Sequence, residues 1–447
     1  MRICIDVQSM QTGSRFRGMG RYVSGLVDGI LRNQNEHEVF ILINGEQKES
    51  SFTIREKFKG LIPDDHFIDW FAPTPLAFCQ KISSLNRHDA SAIYQYAVLR
   101  CNPDLFILTS AVEGASEEFF WSIDEIKQYC RVGSVIYDFI PAEQPEKYLS
   151  NPIAAEYYWG QMEKIKDFDV LFSISEFVAE KTRERFPHIP VLNISSAVEE
   201  SFRPVASDEK NSTTVLSAYG ISNPFIFYAG GADDRKNVAS LLDAYSLLDA
   251  ELRSSYQLVI VCGKNEHAYK VLDKKRIGLG LTDQECILLG YVSDDELIAF
   301  YSACSLFVFP SFEEGFGLTI LEAMQCGAPA ICSNRTSMPE VLGYEKGLFD
   351  PSYPENISQV IKKYLTDLTS REVLRAHCAE QAKKFSWEIT AQRVLDFDYA
   401  SLPAKKVFTE SSSDALIRFC AEQFCEKEHT DEQLMLLAKA LAATFSR

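Results

Sequence analysis

The chain has 447 residues, enough for two or three domains, and its composition excludes several classes of protein. Hydrophobic residues make up 46% and charged residues 24%, which excludes a disordered chain, a collagen and a disulfide-stapled miniprotein. Acidic residues outnumber basic ones by 63 to 45, giving a formal net charge of −18. Because so acidic a surface repels phosphate backbones, we do not expect nucleic acid as a partner.

The twelve cysteines are typical of a reducing compartment rather than of a disulfide scaffold, because most lie in apolar runs as ordinary core thiols. Cys420, Cys425 and His429 have the spacing nearest to that of a metal site, but without a clear fourth ligand they predict none. The chain runs straight into a strand-like segment, which indicates no signal peptide. No apolar stretch approaches the roughly 18 residues that span a bilayer. We therefore expect a cytoplasmic protein.

Short apolar runs alternate with helical patterns along most of the chain. Runs predicted as strands lie at residues 3–7, 39–44, 104–108, 131–137 and 170–174, and helical patterns intervene, for example at 21–33 and 175–186. A second series of strands begins with FIFYAG and continues with QLVIVC, CILLG, LFVFP and APAICS. Because these runs are continuously apolar, they are typical of strands buried on both faces of a parallel sheet. Two α/β domains with parallel sheets follow from this order.

A polar segment with little periodicity separates the two series and is predicted to link the domains. The predicted parts are an N-terminal domain at 1–203, a linker at 204–223, a second domain at 224–384, a helix at 385–402 that returns to the N-terminal domain, and a helical tail at 403–447. Ligands of such sheets bind at the carboxyl ends of the strands, so we expect a cleft there between the domains.

The tail has two helical patterns, at 413–426 and 430–445, and Thr430 with Gln433 forms a capping-box pattern at the second. Both segments carry apolar stripes, which include Leu437 and Leu441 in the second. A two-helix unit is too small to bury such stripes alone. We therefore expect the tail to pack on this chain's own domains or on a partner module, away from a donor site.

The most informative stretch, residues 309–334, reads FPSFEEGFGLTILEAMQCGAPAICSN. Gly315 and Gly317 let a ligand approach the backbone closely, and the start of the following helix suits a phosphate. Glu314 precedes that helix and Glu322 lies inside it. Carboxylates accept hydrogen bonds from sugar diols but repel phosphates, which predicts a ligand with both hydroxyls and phosphates. From these residues alone, favourable interaction of the two carboxylates with the helix dipole is an equal alternative.

The pattern E-G-F-G-L-x-x-L-E-A-M-x-C-G-x-P in this stretch resembles the signature of family 4 glycosyltransferases, retaining enzymes of the GT-B fold. Other matching segments, in order, are GMGRYVSGL (18–26), VIYDFIPAEQPEKY (135–148) and FIFYAGGADDRKNVASLLDAY (225–245). The resemblance covers residues 1 to about 400 and is greatest to bacterial mannosyltransferases of O-antigen and polysaccharide assembly. It implies two Rossmann-like domains that face a cleft. The C-terminal helical extension is predicted from its own pattern and is not covered by the resemblance.

The resemblance also implies a role for each matching residue of the second domain. Glu322 would bind the ribose diol, and Glu314 would act as a catalytic residue at the hydroxyls near the reacting end of the sugar. The remaining donor-binding positions are Lys236 and Arg235 at the diphosphate, with Gly315, Phe316, Gly317, Leu318 and Thr319 along the loop and helix start.

In the N-terminal domain the resemblance places donor-binding glycines, Gly18 and Gly20, on a loop after the first strand. Asp138 is the second catalytic candidate, because it ends a buried strand on the side of the cleft. Arg17 and Arg21 flank the glycine loop and are candidates for contacts with a phosphate or with the acceptor.

Two departures from the family pattern matter. Many relatives carry an arginine where this chain has Gly231, and Arg235 can supply that charge instead. Tyr137 replaces the histidine of the family's "HD" segment, which puts in doubt any mechanism that needs an imidazole there. The D-x-D triplets at 167–169 and 396–398 lie at a strand entrance and in a helical pattern, so we interpret them as structural and expect no metal in the chemistry.

The function implied is a retaining transfer of a hexose from a nucleotide sugar to a glycan or lipid-linked saccharide. GDP-mannose is the favoured donor substrate, and no cofactor or metal is expected. A glycan assembly complex or a second catalytic module is a possible partner, and peripheral attachment at the inner face of the membrane stays open. The alternatives are a transferase that uses a UDP-hexose, a nucleotide-sugar 2-epimerase on the same fold, and a non-catalytic nucleotide-binding subunit.

Overall fold

The computed structural model describes residues 1–16, 18–72, 74–80, 84–205, 210–263, 266–408 and 431–445. The chain divides into two compact units. The first comprises Met1–Ile174, Val178–Ser195 and Trp387–Arg447, and the second comprises Ser175–Phe177 and Ser196–Ser386.

A parallel sheet forms the centre of the first unit. Its described strands are β1 (Arg2–Asp6), β2 (Glu38–Asn44), β3 (Phe67–Trp70), β4 (Leu105–Leu108), β5 (Arg131–Ile136), β6 (Val170–Ser173) and β7 (Val191–Asn193). They lie in the order β3-β2-β1-β4-β5-β6-β7. In the register, Ile3 lies opposite Val39 on one side and Leu105 on the other. The central strands are buried on both faces, as their continuous apolar sequences predict.

The second unit contains another parallel sheet. Its described strands are β8 (Phe225–Ala229), β9 (Gln257–Val261), β10 (Cys286–Leu289), β11 (Leu306–Phe309), β12 (Ala330–Ser333) and β13 (Leu348–Phe349). Their order is β10-β9-β8-β11-β12-β13. The chain winds outward from β8 to β10 and then returns to β11 on the other side of β8, so a topological switch point lies between β8 and β11. Ligands of open parallel sheets bind in the crevice at the carboxyl ends of strands at such a point.

Helices follow most of the strands, as in other doubly wound folds. The described α-helices are α1 (Gly18–Arg32), α2 (Lys48–Phe58), α3 (Ser84–Arg100), α4 (Ile126–Tyr129), α5 (Ile140–Glu143), α6 (Pro145–Tyr148), α7 (Pro152–Lys164), α8 (Glu176–Arg185), α9 (Lys210–Ala218), α10 (Val238–Ser246), α11 (Ala250–Ser255), α12 (Glu266–Gly278), α13 (Asp294–Ala303), α14 (Leu318–Gln325), α15 (Met338–Leu342), α16 (Pro354–Thr366), α17 (Leu368–Ala382), α18 (Trp387–Leu395) and α19 (Asp431–Phe445). None of the helices in the described ranges is both long and apolar enough to cross a membrane.

The sequence prediction of two α/β domains with parallel sheets is confirmed, although it missed β3, β7 and β13. These short strands lie at sheet edges, where a few apolar residues give too weak a pattern. The segment predicted as a linker contains α9, which forms part of the second unit. Its polar composition gives little helical periodicity.

Helix α18 packs against α1 in the first unit. The indole of Trp387 lies over Gly25 of α1, where an added Cβ would stand 2.0 Å from the ring. The ring of Tyr22 meets that indole edge-on, with 5.3 Å between the centroids. Helix α18 ends at Leu395, short of the predicted end of the helix at 402. A 3-10 turn follows, in which the Asp398 side chain accepts a hydrogen bond from the N–H of Ala400.

The last described helix, α19, packs on α3 and on the segment after β3 in the first unit. Leu437 is 4% exposed and lies in an apolar cluster with Ile93, against which Phe71 and Leu441 also pack. The N–H of Phe71 donates to the Thr444 hydroxyl at 3.1 Å. For this segment, the expectation that the tail packs on the chain's own domains is confirmed. The other predicted tail helix, at 413–426, and Thr430 lie outside the described residues.

Candidate active site

The two loops that carry the predicted donor-binding residues follow neighbouring strands. Strand β8 leads into residues 230–237, which include Lys236, and β11 leads into residues 310–317, which include Glu314. Because β8 and β11 pair directly, both loops leave the sheet at its switch point. The backbone of Asn237 is in the left-handed conformation, with φ 56°. Its side chain links the loops by donating to the carbonyl of Pro310 at 3.1 Å.

Glycines allow both loops to turn sharply. Gly317 precedes α14 with φ 101°, in the left-handed region that favours glycine. Gly230 has φ 155°, and a Cβ there would lie 2.8 Å from the Tyr228 hydroxyl. Helix α14 begins directly after Gly317, with its first bond from the N–H of Ile320 to the Gly317 carbonyl at 3.0 Å. The backbone of the predicted segment 315–319 therefore forms the N-terminal end of a helix, where the partial positive charge favours an anion.

Three charged side chains meet between the loops: Lys236, Arg235 and Glu314. The Lys236 ammonium donates to Glu314 Oε1 at 2.6 Å, and the Arg235 guanidinium donates to Glu314 Oε2 at 3.1 Å. Arg235 also donates to the carbonyl of Glu313 at 3.0 Å and pairs with Asp233 at 3.1 Å. The Lys236 and Arg235 side chains are 13% and 25% exposed, so both cations are partly shielded from water. The structure thus brings together three residues that the sequence nominated separately.

This arrangement fixes the charge of Glu314. Burial favours the neutral carboxyl and raises its pKa, but the nearby charges of Lys236 and Arg235 lower it by more. The net pKa of Glu314 is therefore below its ordinary value. Glu314 is an anion at neutral pH, and it holds two cations in place beside the start of α14.

Buried hydroxyl groups hold the backbone around Glu314. The Ser337 hydroxyl donates to the carbonyls of Glu314 at 3.1 Å and Phe316 at 2.9 Å. The Ser175 hydroxyl donates to the Gly315 carbonyl at 2.6 Å, and the Thr336 hydroxyl accepts the N–H of Glu314 at 3.2 Å. The loop is therefore preorganised rather than free to move with its ligand. Sequence reasoning missed these hydroxyl residues, because their only signal is a position shortly after an apolar strand.

Glu322 lies in the second turn of α14 and is 5% exposed. Its Oε2 accepts a hydrogen bond from the Tyr301 hydroxyl of α13 at 2.9 Å. The sequence nominated Glu322 but not its partner, since Tyr301 reads as one more core aromatic in an apolar helix.

In the first unit, the predicted glycine loop is wrong in its local structure. Gly18 and Gly20 lie in the first turn of α1, and the connection from β1 is made by 3-10 turns at Gln8–Met10 and Gly13–Phe16. A Cβ at Gly20 would stand 2.4 Å from the Cα of Arg15, so the glycine permits close packing of that turn. Arg21 follows in the same helix, while Arg17 lies outside the described residues.

Asp138 follows β5, and its Oδ1 accepts the N–H of Ile140 at 3.0 Å. This hydrogen bond to the residue two positions on forms an Asx turn that leads into α5, whose N-cap residue is Phe139. The neighbouring Tyr137 is half-buried, and its hydroxyl donates to the carbonyl of Thr109 at 2.9 Å. Burial and nearby Tyr22 and Glu113 raise its pKa well above the ordinary value, so Tyr137 cannot replace a histidine as a proton acceptor near neutral pH.

Two acidic side chains near the carboxyl ends of β1 and β4, the buried Asp6 and the half-buried Glu113, were not predicted. Burial raises the pKa of Asp6 to about 6, although hydrogen bonds from Tyr94 and Gln8 oppose this shift. Burial also raises the pKa of Glu113, whose oxygens accept hydrogen bonds from the hydroxyls of Ser9 and Thr12. A lone acidic residue at a strand end gives no sequence signal for such burial.

The two D-x-D triplets have structural partners. Asp167 pairs with Lys127 at 2.9 Å, and Asp169 pairs with Lys405 at 2.7 Å. In the second triplet, Asp398 caps the turn after α18. Within the described ranges, no group of three or more His, Cys, Asp or Glu residues could hold a metal ion, and Cys420, Cys425 and His429 lie outside those ranges.

The second unit matches a known protein family. Residues 219–385, which include Lys236, Arg235, Glu314 and Glu322, match the family model described as glycosyl transferases group 1. The chain contains a group 1 glycosyltransferase domain.

The chain is also similar to two proteins of Escherichia coli. It is 34% identical over 400 residues to the serotype-specific mannosyltransferase WbdA, covering 89% of this chain and 48% of that protein. It is 42% identical over 175 residues to O-antigen chain mannosyltransferase B, covering 39% of this chain and 45% of that protein. The chain therefore spans about half the length of the curated relatives it matches.

Among solved structures, the chain resembles Anabaena HepE in complex with UDP and glucose. The TM-score is 0.62 at 15% identity, and the match covers 89% of this chain and 98% of that one. The sucrose-phosphate synthase of Thermosynechococcus elongatus gives a TM-score of 0.63 at 16% identity, with 89% of this chain and 98% of that one covered. The GT-B fold predicted from the sequence, with two parallel-sheet α/β domains, is confirmed.

Proposed function

We propose that this chain is a retaining hexosyltransferase that transfers mannose from GDP-mannose to a growing glycan or a lipid-linked saccharide. The observation that carries the proposal is the cluster of Lys236, Arg235 and Glu314 beside the N-terminal end of α14 in the group 1 domain. Two cations and a helix start suit a diphosphate, and a carboxylate on the same loop suits sugar hydroxyls.

In the donor half of the reaction, the bond between the anomeric carbon and the diphosphate oxygen breaks, and its electron pair goes to the phosphate. Lys236, Arg235 and the amides at 317–319 stabilise that developing charge, which is the main catalytic contribution this loop offers. Glu314 holds the sugar at its reacting end, and Glu322 holds the ribose diol.

In the acceptor half, the oxygen of an acceptor hydroxyl bonds to the anomeric carbon, and the hydroxyl proton goes to the departing diphosphate. We assign orientation of this hydroxyl to the region of Asp138 and the start of α1, with Arg17 and Arg21 as contacts for a phosphate or the acceptor. Two routes retain the configuration: attack from the face that the diphosphate leaves, and a transient covalent step.

The choice of GDP-mannose rests on the similarity to the E. coli mannosyltransferases, from which we also take an O-antigen or related polysaccharide as the product. A UDP-hexose is the second candidate donor, because the structurally similar HepE was solved with UDP and glucose. Since WbdA is about twice as long as the region that matches this chain, we further propose that the chain works with a second catalytic module or within a glycan assembly complex, at the inner face of the membrane.

The proposal is tested with a panel of GDP- and UDP-sugars, first without an acceptor and then with mannose oligosaccharides. We expect slow release of GDP from GDP-mannose alone and faster release, with an elongated product, when acceptor is present. The variant Lys236→Met should lose both activities. Interconversion of the free nucleotide sugar without transfer would instead identify an epimerase, and binding without any turnover would identify a non-catalytic subunit.

A further inference from the structure

The buried hydroxyl of Tyr301 contacts Glu322, one of the two glutamates of the family pattern in the proposed donor site. Tyr301 lies in α13, is fully buried, and donates to Oε2 of Glu322 at 2.9 Å. From this contact we propose that Tyr301 is a positioning residue that orients the Glu322 carboxylate toward the ribose hydroxyls of the nucleotide. The inference rests on the proposed function, since it assumes that Glu322 binds the ribose.

The Tyr301 ring is held firmly by other aromatic residues of the second unit. Its centroid lies 5.3 Å from those of Phe227 and of Phe307, both on the central strands of the sheet, and the rings meet at steep angles of 75° and 70°. Edge-to-face contacts of this kind fix both the position and the tilt of a ring. The hydroxyl therefore has a defined position, and through its hydrogen bond it restricts the orientation of the Glu322 carboxylate.

The hydroxyl can act on Glu322 only as a donor. Burial raises the pKa of Tyr301 well above its ordinary value, and the charge of Glu322 raises it further, so the phenol keeps its proton. A carboxylate that is only 5% exposed needs hydrogen-bond donors to stay charged, and Tyr301 supplies one from inside the protein. With Oε2 engaged, rotation of the carboxylate is restricted, and its geometry toward a diol is set before the nucleotide arrives.

A positioning role and a purely structural role differ in one measurable respect. If Tyr301 orients Glu322 for the ribose, its hydroxyl affects only ligands that have ribose hydroxyls. If the hydroxyl merely supports folding, removing it weakens all ligands alike or none. Tyr301→Phe removes one oxygen and keeps the ring packing, so it separates the two roles.

The experiment measures the affinity of wild type and Tyr301→Phe for GDP, 2′,3′-dideoxy-GDP and pyrophosphate by calorimetry, with UDP and 2′,3′-dideoxy-UDP used instead if wild type prefers UDP. We expect Tyr301→Phe to bind GDP about tenfold more weakly, as for loss of one hydrogen bond to a charged group, and to bind the dideoxy nucleotide and pyrophosphate as wild type does. With the nucleotide sugar, KM should rise while kcat changes little. The matched control is Tyr364→Phe, which removes another buried hydroxyl of the same unit, one that donates to the Lys346 carbonyl at 2.9 Å.

The outcomes separate this inference from the proposed function. If wild type discriminates between GDP and its dideoxy form and Tyr301→Phe does so equally well, the positioning role is wrong and the ribose assignment of Glu322 stands. If wild type does not discriminate, or binds neither nucleotide, the donor site itself is misassigned and both proposals fall. A variant Glu322→Gln, which keeps an acceptor oxygen for Tyr301, should show the same selective loss, and provides the test if Tyr301→Phe does not fold.

Discussion

Replacing Glu314 with glutamine should separate nucleotide binding from turnover in an unusual way. In the structure, Glu314 accepts hydrogen bonds from Lys236 at 2.6 Å and from Arg235 at 3.1 Å, and its side chain is only 10% exposed. In the proposed function, the donor diphosphate uses the same two cations and the reacting sugar uses the carboxylate. Glu314 would then compete with the diphosphate for the cations and also repel it.

The magnitudes follow from these contacts. Glutamine keeps the shape and one acceptor oxygen but loses the charge, so each cation loses part of a charge-assisted hydrogen bond of about 1.5–3 kcal/mol. A bound diphosphate compensates both cations, and we expect GDP to bind Glu314→Gln with equal or up to roughly tenfold higher affinity. In the same variant kcat should fall by about 10²–10³, as for loss of one preorganised transition-state contact. Glu314→Ala should change both quantities in the same directions.

Calorimetric titration with GDP and steady-state release of GDP from GDP-mannose measure the two effects. The neighbouring Glu313→Gln is the control, because it changes the net charge equally on the same loop and keeps the backbone carbonyl that accepts from Arg235. A fall of tenfold or more in GDP affinity, or a kcat of Glu314→Gln within threefold of wild type, would refute the assignment. Equal effects in Glu313→Gln would attribute them to net charge alone.

Four further outcomes are expected. Lys236→Met should weaken GDP binding roughly 100-fold in calorimetry, since it removes a partly buried cation from the diphosphate site, and unchanged affinity would contradict that role. Activity should persist in excess EDTA because side-chain cations and helix amides neutralise the diphosphate, whereas loss that Mn²⁺ restores would contradict this. The pKa of Asp6 is raised to about 6, so the folded state retains a proton that the unfolded state releases above about pH 4. Stability should therefore fall by about 2 kcal/mol between pH 4 and 6, and Asp6→Asn, but not the exposed Asp64→Asn, should remove this slope in thermal unfolding. Truncation after residue 408 uncovers the apolar cluster around Ile93, so it should reduce solubility or change the size of the particle while the affinity for GDP stays constant. A truncated protein that stays soluble and unchanged in size, but binds GDP more weakly, would place the tail at the donor site.

Most strands of both sheets, and the loop that carries Glu314, could be predicted from local sequence. Continuous apolar runs such as FIFYA and LFVF mark buried parallel strands, because few other structures bury both faces of a short segment. Gly317 stands directly before a helix in the left-handed backbone conformation, which favours glycine, and the sequence around it already indicates a turn into a helix there. Glu314 and Glu322 could therefore be nominated from local sequence, and Lys236 from the resemblance to the glycosyltransferase family.

The partners of those residues depend on the tertiary structure. Lys236 and Glu314 are 78 positions apart, and they meet because β8 and β11 pair at the switch point, which no local pattern specifies. Tyr301 and Asp6 look ordinary in the sequence. Their chemistry follows from burial and from contacts with distant residues, which set the direction of a hydrogen bond in one case and the pKa in the other.

Local patterns could also mislead, as in the first turn of α1. The sequence around Gly18 and Gly20 predicts a loop, because glycine has a low intrinsic helix propensity. Tertiary packing outweighs that preference of about 1 kcal/mol, since a side chain at Gly20 would collide with the backbone of Arg15. The sequence alone determined which segments carry the chemistry, because turn geometry and strand burial are local properties. Only the tertiary structure decided which charges and hydroxyls meet, because strand order and burial depend on residues far apart in the chain.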